Sequence, residues 1–260
     1  MKNFIKTSAF IFLYLAIYIV YQIKISVIAG IIGAFLGMGS SQIMSLMIPM
    51  LLPAALISLV FYYLIMRTRK IKLYQYCKFK KIDFLTVILI IVTVLGFSIF
   101  IQPIVEILTK LFPSYNEINK TFTEASNNVF SILCITLLIP IFEEILFRGM
   151  ILNDIKRKIN VTAAVFIQGV LFGVYHMNIV QGIYAAFLGI ILGFIYVWTE
   201  SIISTIIAHI TFNISGVAIF PYLFQNISNN VIIFSCFIGL IVAIATLLFM
   251  KKVNENKIYL

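Results

Sequence analysis

Two adjacent glutamates, Glu143 and Glu144, lie within a hydrophobic stretch that is long enough to cross a membrane. A charged side chain at the centre of a bilayer costs roughly 2.5–3.5 kcal/mol on the insertion scale, so one that is retained there usually has a function. The chain has only two histidines, His176 and His209, and both also lie in apolar segments. Carboxylates and imidazoles are typical general acids and bases. We therefore expect any chemistry of this protein to involve these four residues.

The glutamates and histidines fall in three short patterns, each with two residues spaced four positions apart. The three pairs are Glu144 with Arg148, Phe172 with His176, and His209 with Asn213. Residues at this spacing share one face of a helix. Glu144 is therefore predicted to pair with Arg148 in a structural role. Glu143 lies about 100° further around the helix, where the spacing offers no local partner, and is predicted to be functional.

Helix geometry predicts similar depths for the three patterns. At about 1.5 Å per residue, Glu143, His176, His209 and Asn213 lie roughly 20, 24, 14 and 20 Å from the expected cytoplasmic boundaries of their helices. The side chains are therefore expected to meet in one hydrated pocket near the middle of the membrane. Pro140 precedes Glu143 by three residues. It either kinks the helix beside this pocket or is simply tolerated there.

The composition indicates what positions these residues. The chain of 260 residues is 62% hydrophobic and 11% charged, whereas soluble domains carry about 25% charged residues. Apolar runs near the roughly 20 residues needed to cross a bilayer recur along the chain. The fold class is therefore expected to be all-α, a polytopic membrane helix bundle of about eight transmembrane helices. The expected spans are 6–30, 44–66, 84–108, 128–147, 161–177, 179–198, 201–220 and 231–250.

The basic residues indicate the orientation. With eight spans, all of the 19 Lys and Arg residues except Lys24, Lys110 and Lys120 fall on one side of the membrane. The positive-inside rule makes that side cytoplasmic, so both termini are expected inside. Splitting the first span at Lys24 would destroy this agreement. Because the basic residues cluster at the ends of spans, the net charge of +10 is attributed to topology and not to nucleic-acid binding.

The expected organisation has three parts. Residues 1–124 hold the first three spans and an interfacial segment, residues 125–225 form a membrane core, and residues 226–260 hold the last span and a basic cytoplasmic tail. The interfacial segment, 113–127, is expected to be a short helix that begins near Pro113. Glycine pairs at GxxxG spacing, Gly33–Gly37, Gly169–Gly173 and Gly189–Gly193, are attributed to packing within the bundle. The oligomeric state is left open.

The ordered motifs resemble those of a known family. The sequences FEEILFRG, FGVYH and HITFN follow the pattern EExxxR, FxxxH and HxxxN of the CPBP family, the CAAX-protease and bacteriocin-processing (Abi) intramembrane proteases. The resemblance covers about residues 125–220, and the N-terminal half is similar only in being hydrophobic. It implies an intramembrane protease that is itself a bundle of about eight helices and that cleaves a peptide bond.

The resemblance also implies roles for single residues. Glu143 and His176 would activate the attacking water, and His209 and Asn213 would stabilise the oxyanion. The supporting residues would be Glu144, Arg148 and Phe172. The preferred mechanism depends on the glutamate and needs no cofactor. A metalloprotease is the alternative, with zinc held by Glu143, His176 and His209, although the HExxH spacing is missing.

The substrate and the competing functions remain open at this point. A chain rich in Ile, Lys and Asn without organellar targeting features indicates a bacterial source and a multi-pass protein of the cell membrane. The expected substrate is a membrane-associated peptide or small protein, such as a bacteriocin or pheromone precursor. The first alternative is a non-catalytic membrane interaction protein, for bacteriocin immunity or regulation. The second is a small transporter with a carboxylate proton relay, disfavoured because internal repeats are not seen.

Overall fold

The computed structural model describes residues 2–125, 128–223 and 228–258, and this part of the chain is helical without β-strands. It includes seven helices that are long and apolar enough to cross a membrane. The expected all-α, polytopic helix bundle is confirmed. Within the described ranges the helices are α1 (Lys2–Phe35), α2 (Ser40–Thr68), α3 (Leu73–Tyr76), α4 (Phe84–Leu111), α5 (Tyr115–Ala125), α6 (Val129–Ile155), α7 (Val161–Tyr175), α8 (Ile179–Thr199), α9 (Ile202–Ile219), the short α10 (Phe220–Leu223) and α11 (Asn229–Ile258).

The predicted spans correspond to helices, and one of these helices is shorter than expected. Lys24 lies inside α1, which continues through it as one helix, so the first span is not split. The predicted span 161–177 is the shorter helix α7, which has 15 residues, fewer than the roughly 20 that cross a bilayer without distortion. The expected helix in segment 113–127 forms as α5. Residues 126 and 127 of that segment lie outside the described part of the chain.

The chain divides into two compact units. The first consists of Met1–Cys77 and Glu117–Ile159, and the second of Lys78–Asn116 and Asn160–Leu260. Each unit therefore combines an N-terminal segment with a later one. The three-part division at residues 124 and 225 stays a prediction.

Aromatic side chains form the interior of the first unit, where α1, α2 and α6 pack together. The Phe142 ring lies 4.4 Å from the Tyr18 ring and 6.0 Å from the Tyr62 ring, measured between centroids. The Tyr62 hydroxyl also donates to the Tyr14 carbonyl at 2.8 Å. These contacts hold α6 beside α1 and α2 at Phe142, immediately before the two glutamates.

Glycines allow close helix packing in the second unit. A Cβ at Gly173 in α7 would lie 2.4 Å from the Gly182 carbonyl oxygen in α8, and one at Gly189 would lie 2.9 Å from the Gly169 Cα. The predicted packing role is thus confirmed for the glycines of α7 and α8. The Gly33–Gly37 pair differs, because Gly37 has a φ of +70° and open space around it. Gly37 follows the end of α1, in the conformation that glycine adopts most easily.

Candidate active site

The helix that carries the glutamates is not α-helical throughout. Within α6, a π-helical segment, Cys134–Leu138, precedes the α-helical turns Ile139–Glu144, and a second one, Ile145–Leu152, follows them. Pro140 is the second residue of the α-helical part. It has no backbone N–H to donate, so the wide turn before it accommodates the missing hydrogen bond. Single π-turns within α-helices occur often at functional sites.

The glutamate cluster, defined as Glu143, Glu144 and Arg148, is buried in the first unit. Glu144 and Arg148 are fully buried, and Glu143 is 7% exposed. The Arg148 Nη1 donates to the Glu144 Oε1 at 2.6 Å, so the predicted pair is formed. Because a buried ion needs a partner to offset its lost hydration, Arg148 makes it possible for carboxylates to remain inside this apolar helix.

The imidazole cluster, defined as Phe172, His176, His209 and Asn213, belongs to the second unit. The Phe172 ring is buried and contacts both imidazoles edge-on. The ring centroids lie 4.9 Å apart for His176 and 5.7 Å apart for His209, and both interplanar angles are 88°. Phe172 therefore lies against the only two histidines of the chain, on two different helices. This contact gives a physical role to a residue that the resemblance implied only as supporting.

A backbone contact sets the proton position on His176. Its Nδ1 lies 2.8 Å from the Phe172 carbonyl oxygen. Since a carbonyl only accepts, this contact assigns the proton of the neutral ring to Nδ1 and the basic lone pair to Nε2. His176 follows the last residue of α7, and Met177 turns the chain with a φ of +51°. The Asn178 side chain then caps α8 by accepting from the Gln181 N–H at 3.1 Å. The imidazole is thus fixed at a well-defined helix end.

His209 and Asn213 lie one turn apart on α9, as the spacing predicts. His209 is 4% exposed, and Asn213 is half-buried. The helix begins after Ser201, whose hydroxyl accepts from the Ile203 N–H at 3.3 Å. It becomes π-helical over Ser215–Ile219, two residues after Asn213. A change of helical type thus adjoins this motif, as it does the glutamates.

Sequence reasoning missed one polar residue of α7. Gln168 is fully buried. Its side-chain nitrogen and oxygen both lack a hydrogen-bond partner among the residues that the structure describes. It precedes Phe172 by four positions and His176 by eight, which places all three on one helix face. That spacing was the signal that could have found it.

The predicted site residues divide between the two units. The glutamate cluster lies in the first unit and the imidazole cluster in the second. The prediction that they line one hydrated pocket stays a prediction. The described part of neither unit contains a group of three His, Cys, Asp or Glu side chains that could hold a metal. A zinc site made from Glu143, His176 and His209 would need ligands from both units.

The fold and these buried polar side chains define a polytopic helical membrane protein with catalytic residue types inside its apolar helices. Residues 125–215 match the family of Rce1-like Type II CAAX prenyl endopeptidases. The match includes both clusters and Gln168, and over this segment it confirms the resemblance to CAAX proteases. It implies protease activity of the intramembrane, CAAX-type endopeptidase class. Comparisons with curated proteins and with solved structures found no match.

Proposed function

We propose that this protein is an intramembrane endopeptidase in which Glu143 and His176 activate a water molecule. The observation that carries the proposal is the burial of Glu143 in the matched segment, next to a Glu144–Arg148 ion pair. The ion pair gives Glu144 and Arg148 a structural role. Glu143 is then the carboxylate assigned to the reaction. The orientation of both imidazoles by Phe172 supports the assignment of the histidines.

The first step forms the new carbon–oxygen bond. A water molecule attacks the carbonyl carbon of the scissile peptide bond, and Glu143 accepts the proton that the water loses. The Nε2 of His176 accepts a hydrogen bond from the same water and orients it. General acid–base catalysis of this kind typically contributes about 10²–10⁴-fold in rate. His209 and Asn213 donate hydrogen bonds to the carbonyl oxygen as it becomes negatively charged, and one such donor is worth roughly 2.7–4 kcal/mol.

The second step breaks the carbon–nitrogen bond. The oxyanion collapses to a carboxyl group, and the proton held by Glu143 passes to the departing nitrogen. The new carboxyl group then loses its proton to water, so the products are one peptide with a new carboxylate and one with a new amine, and Glu143 is again ionised. No step uses a metal. In the competing arrangement, zinc is held by Glu143, His176 and His209. Loss of cleavage on adding a chelator, with recovery on adding zinc, would favour that arrangement.

The proposed substrate is a membrane-associated peptide or small protein of the bacteriocin- or pheromone-precursor type. The proposed location is a bacterial cell membrane with both termini cytoplasmic, because with eight spans the basic residues would concentrate on the side that holds the termini. Water and substrate would then reach the site from the cytoplasmic side. Cysteines introduced at the two termini test this orientation. An impermeant thiol reagent should label them in opened cells but not in intact cells.

The proposed activity is tested with Glu143→Gln and His176→Gln, which remove a base but preserve size. The matched control is Glu117→Gln, which removes an exposed carboxylate of the first unit. Each full-length protein is expressed at equal level, checked for membrane insertion and thermal stability, and followed by peptidomics of cells and medium. We expect the two site variants, and not the control, to lose the same cleaved peptides. Unchanged peptides in both site variants would contradict protease activity and favour a non-catalytic immunity or regulatory protein.

A further inference from the structure

A second polar cluster lies in the first unit, away from the residues assigned to catalysis. It surrounds a cavity of about 270 Å³. The cavity is formed by the first turns of α1, the chain just after α2 and the segment that ends α6. Its lining residues are Lys6, Thr7, Phe10, Arg69, Ile71, Asp154, Arg157 and Lys158.

An ion pair forms the fixed wall of this cavity. The Arg69 Nη1 and Nη2 donate to the two carboxylate oxygens of Asp154, each at 2.7 Å, and the Tyr76 hydroxyl donates to the same carboxylate. Asp154 is 3% exposed, and the Arg69 guanidinium lies 4.6 Å from the centre of the Phe10 ring. A bidentate pair that is also packed against a ring holds its geometry much better than a flexible surface pair.

The charge around the cavity is strongly positive. Asp154 is the one acidic side chain among the described residues that line it, and Arg69 and Tyr76 engage that carboxylate. Lys6, Arg157 and Lys158 add three further cations. The Arg157 guanidinium lies 4.6 Å from the centre of the Tyr76 ring, which holds it in place. The cavity therefore offers an anion a set of donors that are partly preorganised.

The position of the cavity along the helices indicates the kind of anion. The apolar spans that adjoin it begin at Ile5 and end at Thr68 and Ile155. The cavity thus lies where three spans reach the polar boundary of a bilayer, at the level of lipid headgroups. On the face of α1 that carries Lys6 and Phe10, Leu13 is 41% exposed, which leaves apolar surface for an acyl chain. Clusters of basic residues at span ends attract anionic lipids by roughly 1 kcal/mol per residue.

We propose that this cavity binds a phosphate group, supplied by the headgroup of an anionic phospholipid. A soluble phosphate compound has the same recognition chemistry and is the other source. Basic residues at span ends are expected from topology alone. What distinguishes this cluster is the cavity, the bidentate Arg69–Asp154 wall and the ring-stacked Arg157.

The test measures lipid binding to the full-length protein by native mass spectrometry after detergent exchange, with phosphatidylglycerol, phosphatidylcholine and inorganic phosphate as probes. The variant is Arg157→Gln with Lys158→Gln. The control is Lys81→Gln with Lys252→Gln, which removes the same charge from exposed positions of the second unit. If the loss of Arg157 lowers thermal stability, a second double variant replaces the first. It is Lys6→Gln with Lys158→Gln, and both positions are exposed.

We expect the wild type and the control to bind phosphatidylglycerol with an affinity about ten times that of the cavity variant, or higher. Phosphatidylcholine should bind more weakly and should not distinguish the proteins. Displacement of the lipid by millimolar inorganic phosphate would support the cavity and identify a soluble phosphate compound as an occupant. Equal loss of phosphatidylglycerol binding in variant and control, or no loss in either, would overturn the proposal.

Discussion

In the glutamate cluster a buried carboxylate is held by an ion pair, whereas in the imidazole cluster two histidines pack against one phenylalanine ring. Glu144 and Arg148 are both fully buried and joined at 2.6 Å. Phe172 contacts His176 and His209 edge-on. The first arrangement depends on charge balance, and the second depends on shape.

This difference predicts different tolerance to substitution. Removing one partner of a buried ion pair leaves a charge without compensation, which costs far more than the net worth of the pair. Removing an aromatic contact loses a graded amount of packing. The Glu144–Arg148 pair should therefore respond to substitution through stability, and the imidazole cluster mainly through the rate of catalysis.

The largest expected effect is that of Arg148→Met. This substitution leaves the buried Glu144 without its guanidinium, which should lower the free energy of unfolding by about 3–5 kcal/mol. The measurement is thermal or denaturant unfolding in detergent. The control is Arg148→Met combined with Glu144→Gln, which removes both charges and should recover most of the stability. Equal instability of the single and double variants would show that charge balance does not govern this cluster.

A smaller effect is expected for Gly173→Ala in the second unit. The added Cβ would lie 2.4 Å from the Gly182 carbonyl oxygen, and backbone cannot yield as a flexible side chain can. Overpacking of this kind typically costs about 1–3 kcal/mol. The matched control is Gly216→Ala, since a Cβ there would meet nothing within 4 Å. Unfolding midpoints should fall for Gly173→Ala only. If the two variants unfold alike, α7 and α8 do not pack as closely as described.

Phe172→Leu should lower the rate more than the stability. The ring contacts position the two imidazoles, and a displacement of about 1 Å can cost up to about 100-fold in rate, so we expect roughly a tenfold fall in kcat with little change in KM. Phe187→Leu is the control, because Phe187 is 54% exposed on the neighbouring α8. A change in KM alone would mean that Phe172 contacts substrate instead of orienting the histidines.

The smallest effect concerns Glu200, between α8 and α9. The hydrogen bond that Lys78 donates lowers the pKa of the Glu200 carboxyl, with a further contribution from Lys80. A lowered pKa stabilises the fold above the ordinary value of about 4.3, and this stabilisation is lost as the pH falls through the lowered pKa. Glu200→Gln should therefore make unfolding less sensitive to acid. An exposed ion pair such as Lys78–Glu200 is worth about 1 kcal/mol or less. If the pH dependence of unfolding is the same for Glu200→Gln and wild type, the pair is not formed.

Local patterns in the sequence predicted local structure well. Hydropathy gave the spans, and the spacing of Glu144 and Arg148 gave their ion pair. The π-helical segments were not predicted, because hydrophobic periodicity does not encode a change of hydrogen-bond register. The contact of Phe172 with His209 joins two helices, and four-residue spacing reports only neighbours on the same helix. Arg69 and Asp154 are 85 positions apart, so their pair appears only once the helices are packed.

The central proposal is that Glu143 and His176 act on one water molecule, and a double-mutant cycle tests this proposal most directly. Cleavage of a peptide identified by peptidomics is measured for wild type, Glu143→Gln, His176→Gln and the double variant, all as purified, folded protein. Residues that act as a unit show strongly non-additive effects. We therefore predict that the double variant is no slower than the slower single variant. Effects that multiply, so that the double variant is slower by the product of the two single losses, would contradict the claim.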